Sequence, residues 1–330
     1  MSRKLISAVI ALGLSAGMAV AEYPEKEIQG IIQWGAGGST DTVMRSVTPY
    51  AEGLLGGSVV MQNMTGGVGA IALNHVAEAE GDGYTLLMGA ENPLLYKVMG
   101  LGDKDYSDFT AITLLARGTP LLVAGKDAPY NTYPEMLDYI KANPDTVRFG
   151  STGPGGLPSV VTAMIKSTTD LPVIFVPYDG DGPALTALQG GAIDVMPVVL
   201  GLAIEGIRAG TMKPLALFDV APATSAPDIA TITSTNPEFE PMLPWGPFFG
   251  VFVKNGTPDD VVAKLSAAYA EAAKTPDFVQ QMTGRGYTMM GISGAEAQAF
   301  LTKWQQTTTW LMQDAGLTKK SPEDFGIARP

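Results

Sequence analysis

Two glycine-rich loops hold the groups best suited to chemistry in this chain. In Gly37-Gly38-Ser39-Thr40, and again in Ser151-Thr152-Gly153, an apolar strand runs into glycine and hydroxyl residues and then into a helix. The first turn of a helix leaves amide hydrogens without partners, and the helix dipole adds about half a positive charge there. Glycine lets the backbone approach a ligand closely, and Ser and Thr add rotatable donors. Such a loop takes a carboxylate or phosphate without Arg or Lys. Each hydrogen bond to a charged group contributes about 1.5–3 kcal/mol. Asp41, just inside the first helix, has two readings: a general base, or a brace that caps the helix start and holds the loop through its amides. The brace is the commoner role.

Other chemistries find little support. No G-x-x-x-x-G-K-[ST] sequence exists, so there is no P-loop. Gly67-Val68-Gly69-Ala70-Ile71-Ala72 fits G-x-G-x-x-A, but the next strand runs into Met88-Gly89-Ala90 with no acidic residue for a ribose. Ser39 and Ser151 lack the G-x-S-x-G frame of a nucleophile elbow. With no Cys and a single His, thiolate metal sites, Cys nucleophiles, disulfides and His-based triads are excluded or unsupported. That His75 lies mid-helix and reads as a structural or surface residue. No cofactor and no metal is expected.

The elements that must position the loops follow an alternating pattern. Strands are expected at 28–34, 58–62, 85–88, 121–124, 147–150, 173–178, 194–199, 214–218 and 248–253. Helices of ten to fifteen residues between them imply βαβ units and a parallel sheet. Val43, Val47, Tyr50 and Leu54 recur at helical spacing behind the first loop. Pro183, in Asp179-Gly180-Asp181-Gly182-Pro183, suits a first helical turn. The Pro-, Ser- and Thr-rich stretch 221–244 reads as a linker. Thr257-Pro258-Asp259-Asp260 resembles a capping box with Pro at the first helical position, and Ser293 to Glu296 fits the S-x-x-E box. Phe300, Trp304 and Leu311 form an apolar stripe expected to pack in the core.

At 330 residues the chain has room for about two domains of ~150 residues. It is 46% hydrophobic and 16% charged, which marks it as globular. A net charge of −12 argues against nucleic acid as a partner. Arg3 and Lys4 precede an apolar run from Leu5 to Val20, and Ala19-Val20-Ala21 offers a small-residue cleavage site. Residues 1–21 are therefore expected to be a secretory signal peptide, with export to a bacterial periplasm. Without Arg3 and Lys4, 19 basic residues stand against 33 acidic ones, a net charge of −14. Surface charges are screened over about 8 Å at physiological salt, so the local amides still favour an anion.

Several segments, in order, resemble one family. Ile31-Ile32-Gln33-Trp34-Gly35-Ala36-Gly37-Gly38-Ser39-Thr40-Asp41 is similar to the V-P-F-x-A-G-G-x-x-D opening of the tripartite tricarboxylate transporter substrate-binding proteins, the exported Bug receptors. Gln62-Asn63-Met64-Thr65-Gly66-Gly67-Val68-Gly69 matches their E-N-x-x-G-A-G-G turn, and Gly81-Asp82-Gly83-Tyr84-Thr85-Leu86 their P-D-G-Y-T-L. Asp108 to Ile112, Phe149 to Gly155, Val176 to Gly180 and Gly256-Thr257-Pro258 continue the series over nearly the whole mature chain. Departures are Gln33-Trp34 for Pro-Phe, Met64 for a common Arg, Gly156 for Ser and Asp179 for Lys. The arginine that often follows the strand ending at Phe218 is absent.

The resemblance implies an α/β type II periplasmic-binding-protein fold, two α/β lobes joined by two hinge strands. Lobe 1 would comprise 22–124 plus 241–330, and lobe 2 residues 125–240. Carried over by position, Gly38, Ser39, Thr40 and Asp41 would face Ser151, Thr152 and Gly155 across a cleft. Ala90, Tyr178 and Gly180 would border it, and Trp34 would supply an apolar wall. The expected function is capture of a small organic acid, a di- or tricarboxylate or an aromatic carboxylate, by a monomer that delivers it to a tripartite-type membrane permease. Citrate, four-carbon dicarboxylates, aromatic acids and amino acids all fit the residues. Two alternatives are a ligand sensor for a membrane kinase and an enzyme using Asp41 as base.

Overall fold

The computed structural model describes residues 23–330; the signal-peptide expectation lies outside them. Among the described residues the strands form two sheets. Six strands, β1 (Ile28–Ile32), β2 (Val59–Asn63), β3 (Thr85–Ala90), β4 (Phe109–Arg117), β10 (Phe248–Lys254) and β11 (Thr288–Ile292), lie in the order β2-β1-β3-β10-β4-β11. Five more, β5 (Pro120–Gly125), β6 (Arg148–Ser151), β7 (Ile174–Pro177), β8 (Val195–Val199) and β9 (Met212–Leu217), lie in the order β7-β6-β8-β5-β9.

Helices α1 (Ser39–Leu55), α2 (Ala70–Glu78) and α3 (Tyr96–Met99) belong with the first sheet, and α4 (Tyr133–Ala142), α5 (Leu157–Lys166), α6 (Asp181–Gln189) and α7 (Leu200–Arg208) with the second. The chain then returns to add α8 (Asp259–Ala272), α9 (Pro276–Gly284) and α10 (Gly294–Asp314) to the first. This is the two-lobe α/β architecture expected from the sequence.

Each sheet is mixed rather than parallel. β1 pairs in parallel with β2 and β3, and β6 with β7 and β8, where helices make the crossovers. β10 and β5 run antiparallel to their neighbours. Both enter from the other lobe without a crossover helix, so nothing forces them into the parallel sense. The expected passage after Ala124 also shifts: β5 already bonds to β8 and β9, so we place the first crossing at Gly118–Thr119 and the return in the segment 218–247.

That return segment is no loose linker. Phe239 is fully buried, edge-on to Tyr133 at 6.0 Å and to Phe218 at 5.6 Å. Burying a large aromatic contributes about 1.5–3 kcal/mol, enough to pin a Pro-rich stretch against lobe 2. The stripe on α10 packs as expected, with Trp304 5.7 Å from Phe248 and 5.8 Å from Trp245.

Two cap motifs do other work. Thr257 Oγ1 donates to the Lys254 carbonyl, and α8 starts one residue after Pro258 with no side-chain cap. Ser293 Oγ meets Thr113 Oγ1 at 3.0 Å, tying α10 to β4 instead of capping it.

Candidate functional site

The expected strand through Trp34 stops at Ile32; the Gln33 amide still donates to Met88 O at 3.3 Å, and the Gln33 and Trp34 side chains reach Asn92. Asn92 Oδ1 accepts from Trp34 Nε1 at 3.2 Å and from Gln33 Nε2 at 3.4 Å. The loop Gly35–Gly38 then delivers the chain into α1. Asp41 braces it: Oδ2 accepts from the Gly37 amide at 2.9 Å, and Oδ1 accepts from Arg45 Nε at 2.7 Å and Asn63 Nδ2 at 2.9 Å. Burial pushes the Asp41 carboxyl up, but the Gly37, Asn63 and Arg45 bonds outweigh it and hold the group below the usual carboxylate range. With its oxygens so engaged, Asp41 is a poor proton acceptor. The alternative role as a base loses its geometry.

Opposite this loop stands the start of α6, from the other sheet. Asp181 Oδ1 accepts from the Ser39 amide at 3.1 Å, and Oδ2 accepts from the Ser39 hydroxyl. The Asp181 carboxyl group thus occupies the first turn of α1, burial pushing its pKa up against the bonds from Ser39 that lower it. The two lobes touch here through backbone as well: Gly35 N donates to Asp179 O at 3.2 Å. Gly182 makes the contact possible, since a Cβ there would lie 2.8 Å from Gly38 N and 2.9 Å from Ala36 O. On the other flank, Asn92 Nδ2 donates to Gly155 O at 2.9 Å.

Between these contacts lies a cavity of about 40 Å³, room for roughly two or three waters. Trp34, Ser39, Thr40, Ala90 and Thr152 of the expected residues line it together. The others support it from behind. Gly38 caps α1, Ser151 Oγ accepts from Gly153 N at 3.1 Å, and Tyr178 N donates to Ser151 O at 2.8 Å. Gly180 takes a φ of 142°, which glycine alone adopts freely, and lies against Gly35. The wall is largely apolar, with Leu157, Pro158, Val199, Pro247 and Phe249 added to Trp34.

Three acidic or phenolic groups escaped the sequence reading. Asp181 is one. Glu91, at the end of β3, lines the same cavity, is only 3% exposed, and is pushed by burial to a pKa of about 8, with the Asp181 charge adding to the effect. Tyr287 has a buried hydroxyl with no partner, its acidity suppressed first by burial and next by the Asp181 charge. The signal available for Asp181 was an acidic residue opening a helix in Asp179-Gly180-Asp181-Gly182-Pro183, masked by the more conspicuous departure at Asp179. Glu91 and Tyr287 carried no local signal. His75, exposed on α2, lies away from all of this.

A larger groove of about 470 Å³ lies on lobe 2 alone, beside Tyr130, Arg148 and Asp194. Its one guanidinium is already committed: Arg148 Nε and Nη2 donate to Asp194 at 3.0 and 2.5 Å. Lys126 and Asp127 line the groove as well, and none of the residues expected at the site does. Among the described residues no cluster of side chains suited to a metal ion occurs.

Comparison with known proteins agrees with the two-lobe geometry. A family model described as tripartite tricarboxylate transporter family receptor matches residues 43–317. A UPF0065 protein of Bordetella pertussis is 30% identical over 316 residues, 94% of this chain and 96% of that one. The periplasmic binding protein BugD superposes with a TM-score of 0.83 at 26% identity, over 90% of this chain and 100% of its own. MatC of Rhodopseudomonas palustris, solved with bound malate, gives a TM-score of 0.79 at 27% identity, over 87% and 100%.

Proposed function

Because this chain belongs to the tripartite tricarboxylate transporter receptor family, a family of periplasmic solute-binding proteins, we propose that it closes on a small organic carboxylate between its lobes and hands it to a tripartite-type membrane permease. The observation that carries this reading is the oxyanion already seated on the Ser39 amide and hydroxyl, reaching across from the opposite lobe. Hydrogen bonds to a charged acceptor at a helix start are among the stronger ones available to a protein. A ligand carboxylate would take the same donors, with Thr152 approaching from lobe 2 and Trp34 and Phe249 walling its apolar part. The malate held by MatC supports a ligand of this class.

Closure then follows from differential contact. A ligand that touches both lobes favours the state in which they meet, and one that touches a single lobe shifts nothing. Export through a cleaved signal peptide and action as a monomer complete the proposal. The test is a thermal-shift screen of organic acids against the wild type, Ser39→Ala and Thr152→Val. A carboxylate that raises the melting temperature of the wild type and loses most of that effect in Ser39→Ala is the expected result. A screen in which no carboxylate shifts the wild type counts against the reading.

A further inference from the structure

The closed cleft carries acid without base. Asp181 and Glu91 both line it, and its lining includes no Lys, Arg or His. Asp181 sits on the donors that the ligand's carboxylate is proposed to use. Glu91 is almost wholly buried. The two carboxyl groups share the cavity with the Ser39, Thr40 and Thr152 hydroxyls, and the rest of its lining is apolar.

Consider what enters. A carboxylate that takes the first-turn amides of α1 must displace Asp181, leaving that carboxylate in a nearly dry cleft with no cation. A second ligand carboxylate would then face Asp181 at low dielectric, where like charges repel strongly unless Asp181 takes up a proton, the direction in which burial already pushes it. A ligand bearing its own cation removes the conflict, because a buried charge is tolerated when paired and hydrogen-bonded.

We propose that this receptor selects a carboxylate that also carries an ammonium group, an amino acid or related zwitterion, with Asp181 as the partner of the ammonium and Glu91 beside it. The inference rests on the carboxylate reading above and narrows it. Asp181 is then a specificity residue as well as a contact between the lobes: it fills the anion site when the cleft is empty and accepts the ammonium when a ligand takes that site.

The test is calorimetric titration of the purified chain with matched acids differing only in the ammonium, among them aspartate and succinate, glutamate and glutarate, leucine and 4-methylpentanoate, phenylalanine and 3-phenylpropanoate. At least one ammonium-bearing member is expected to bind tenfold or more tightly than its deamino partner. Asp181→Ser is expected to reduce that preference tenfold or abolish it. Equal or tighter binding by the deamino acids overturns this inference and leaves the carboxylate reading standing. A preference unchanged in Asp181→Ser, with circular dichroism showing a folded variant, also overturns it. Should that variant fail to fold, Asp181→Asn takes its place, which removes the charge while keeping an acceptor for the Ser39 donors, and an unchanged preference there again overturns the inference. Failure of every acid in both columns overturns both readings.

Discussion

At the scale of single residues, charge state governs what the site can do. Asp41 is held below the usual carboxylate range by donors that exist only in the folded loop. Its stabilisation is therefore present above its unfolded value near pH ~3.9 and is lost as pH falls through the lowered folded value. Asp41→Asn should cost about 1–3 kcal/mol at neutral pH. Urea midpoints measured from about pH 6 down to 3 should converge with those of the wild type. Glu91 behaves in the opposite sense. Its folded pKa of about 8 lies far above the ~4.3 of an unfolded glutamate. The native state therefore holds a proton that the unfolded chain releases, and the stability this confers is lost as pH rises from about 4 through 8. Thermal melts of Glu91→Gln across that window should be flatter than those of the wild type; superimposable profiles would refute the raised value. Tyr287→Phe removes a buried hydroxyl with no partner, which costs the native state about 1–3 kcal/mol to bury. The variant should melt at an equal or higher temperature than the wild type.

At the scale of elements, local sequence specified the loops better than the sheets. The two glycine–hydroxyl turns, the helices behind them and the brace at Asp41 were legible because helix starts announce themselves over a few residues. The antiparallel placement of β5 and β10 was not, since strand direction depends on which lobe the chain arrives from. Thr257 and Ser293 looked like caps but bond to Lys254 and Thr113, partners chosen by tertiary contact. Glu91 and Tyr287 reach the cleft from β3 and from the edge of β11, a convergence no spacing rule encodes. The α1–α6 contact makes its own prediction. The three atoms nearest a Cβ at Gly182 all belong to the backbone of 36–38 in the other lobe, so a methyl group there obstructs the contact between the lobes. Gly182→Ala should leave the melting temperature of the ligand-free protein within a few degrees of wild type and weaken ligand binding at least tenfold, about 1.4 kcal/mol. An unchanged affinity, read by calorimetry, would show that the lobes need not meet at this point.

At the scale of the whole molecule, the chain passes between the two sheets at Gly118–Thr119 and again through 218–247, and the proposed receptor mechanism has the lobes share an equilibrium between open and closed forms. The Asp181–Ser39 contact joins the lobes, and on the proposed reading a ligand carboxylate displaces Asp181 from that donor. Asp181→Ala should therefore expand the ligand-free protein in solution scattering, and a ligand should recompact it. The two-lobe plan was readable from alternating strands and helices and from ordered family motifs, whereas the closed state was not, because closure is decided by contacts between distant segments such as Gly35 with Asp179 and Asn92 with Gly155. The most direct measurement of the receptor mechanism is a crystal structure with the tightest-binding acid from the screens. A carboxylate on the Ser39 amide, with further contacts to lobe 2 and Asp181 moved off that donor, is the expected result. A ligand resting on one lobe alone, or an Asp181 still seated on Ser39 with the ligand elsewhere, would contradict it.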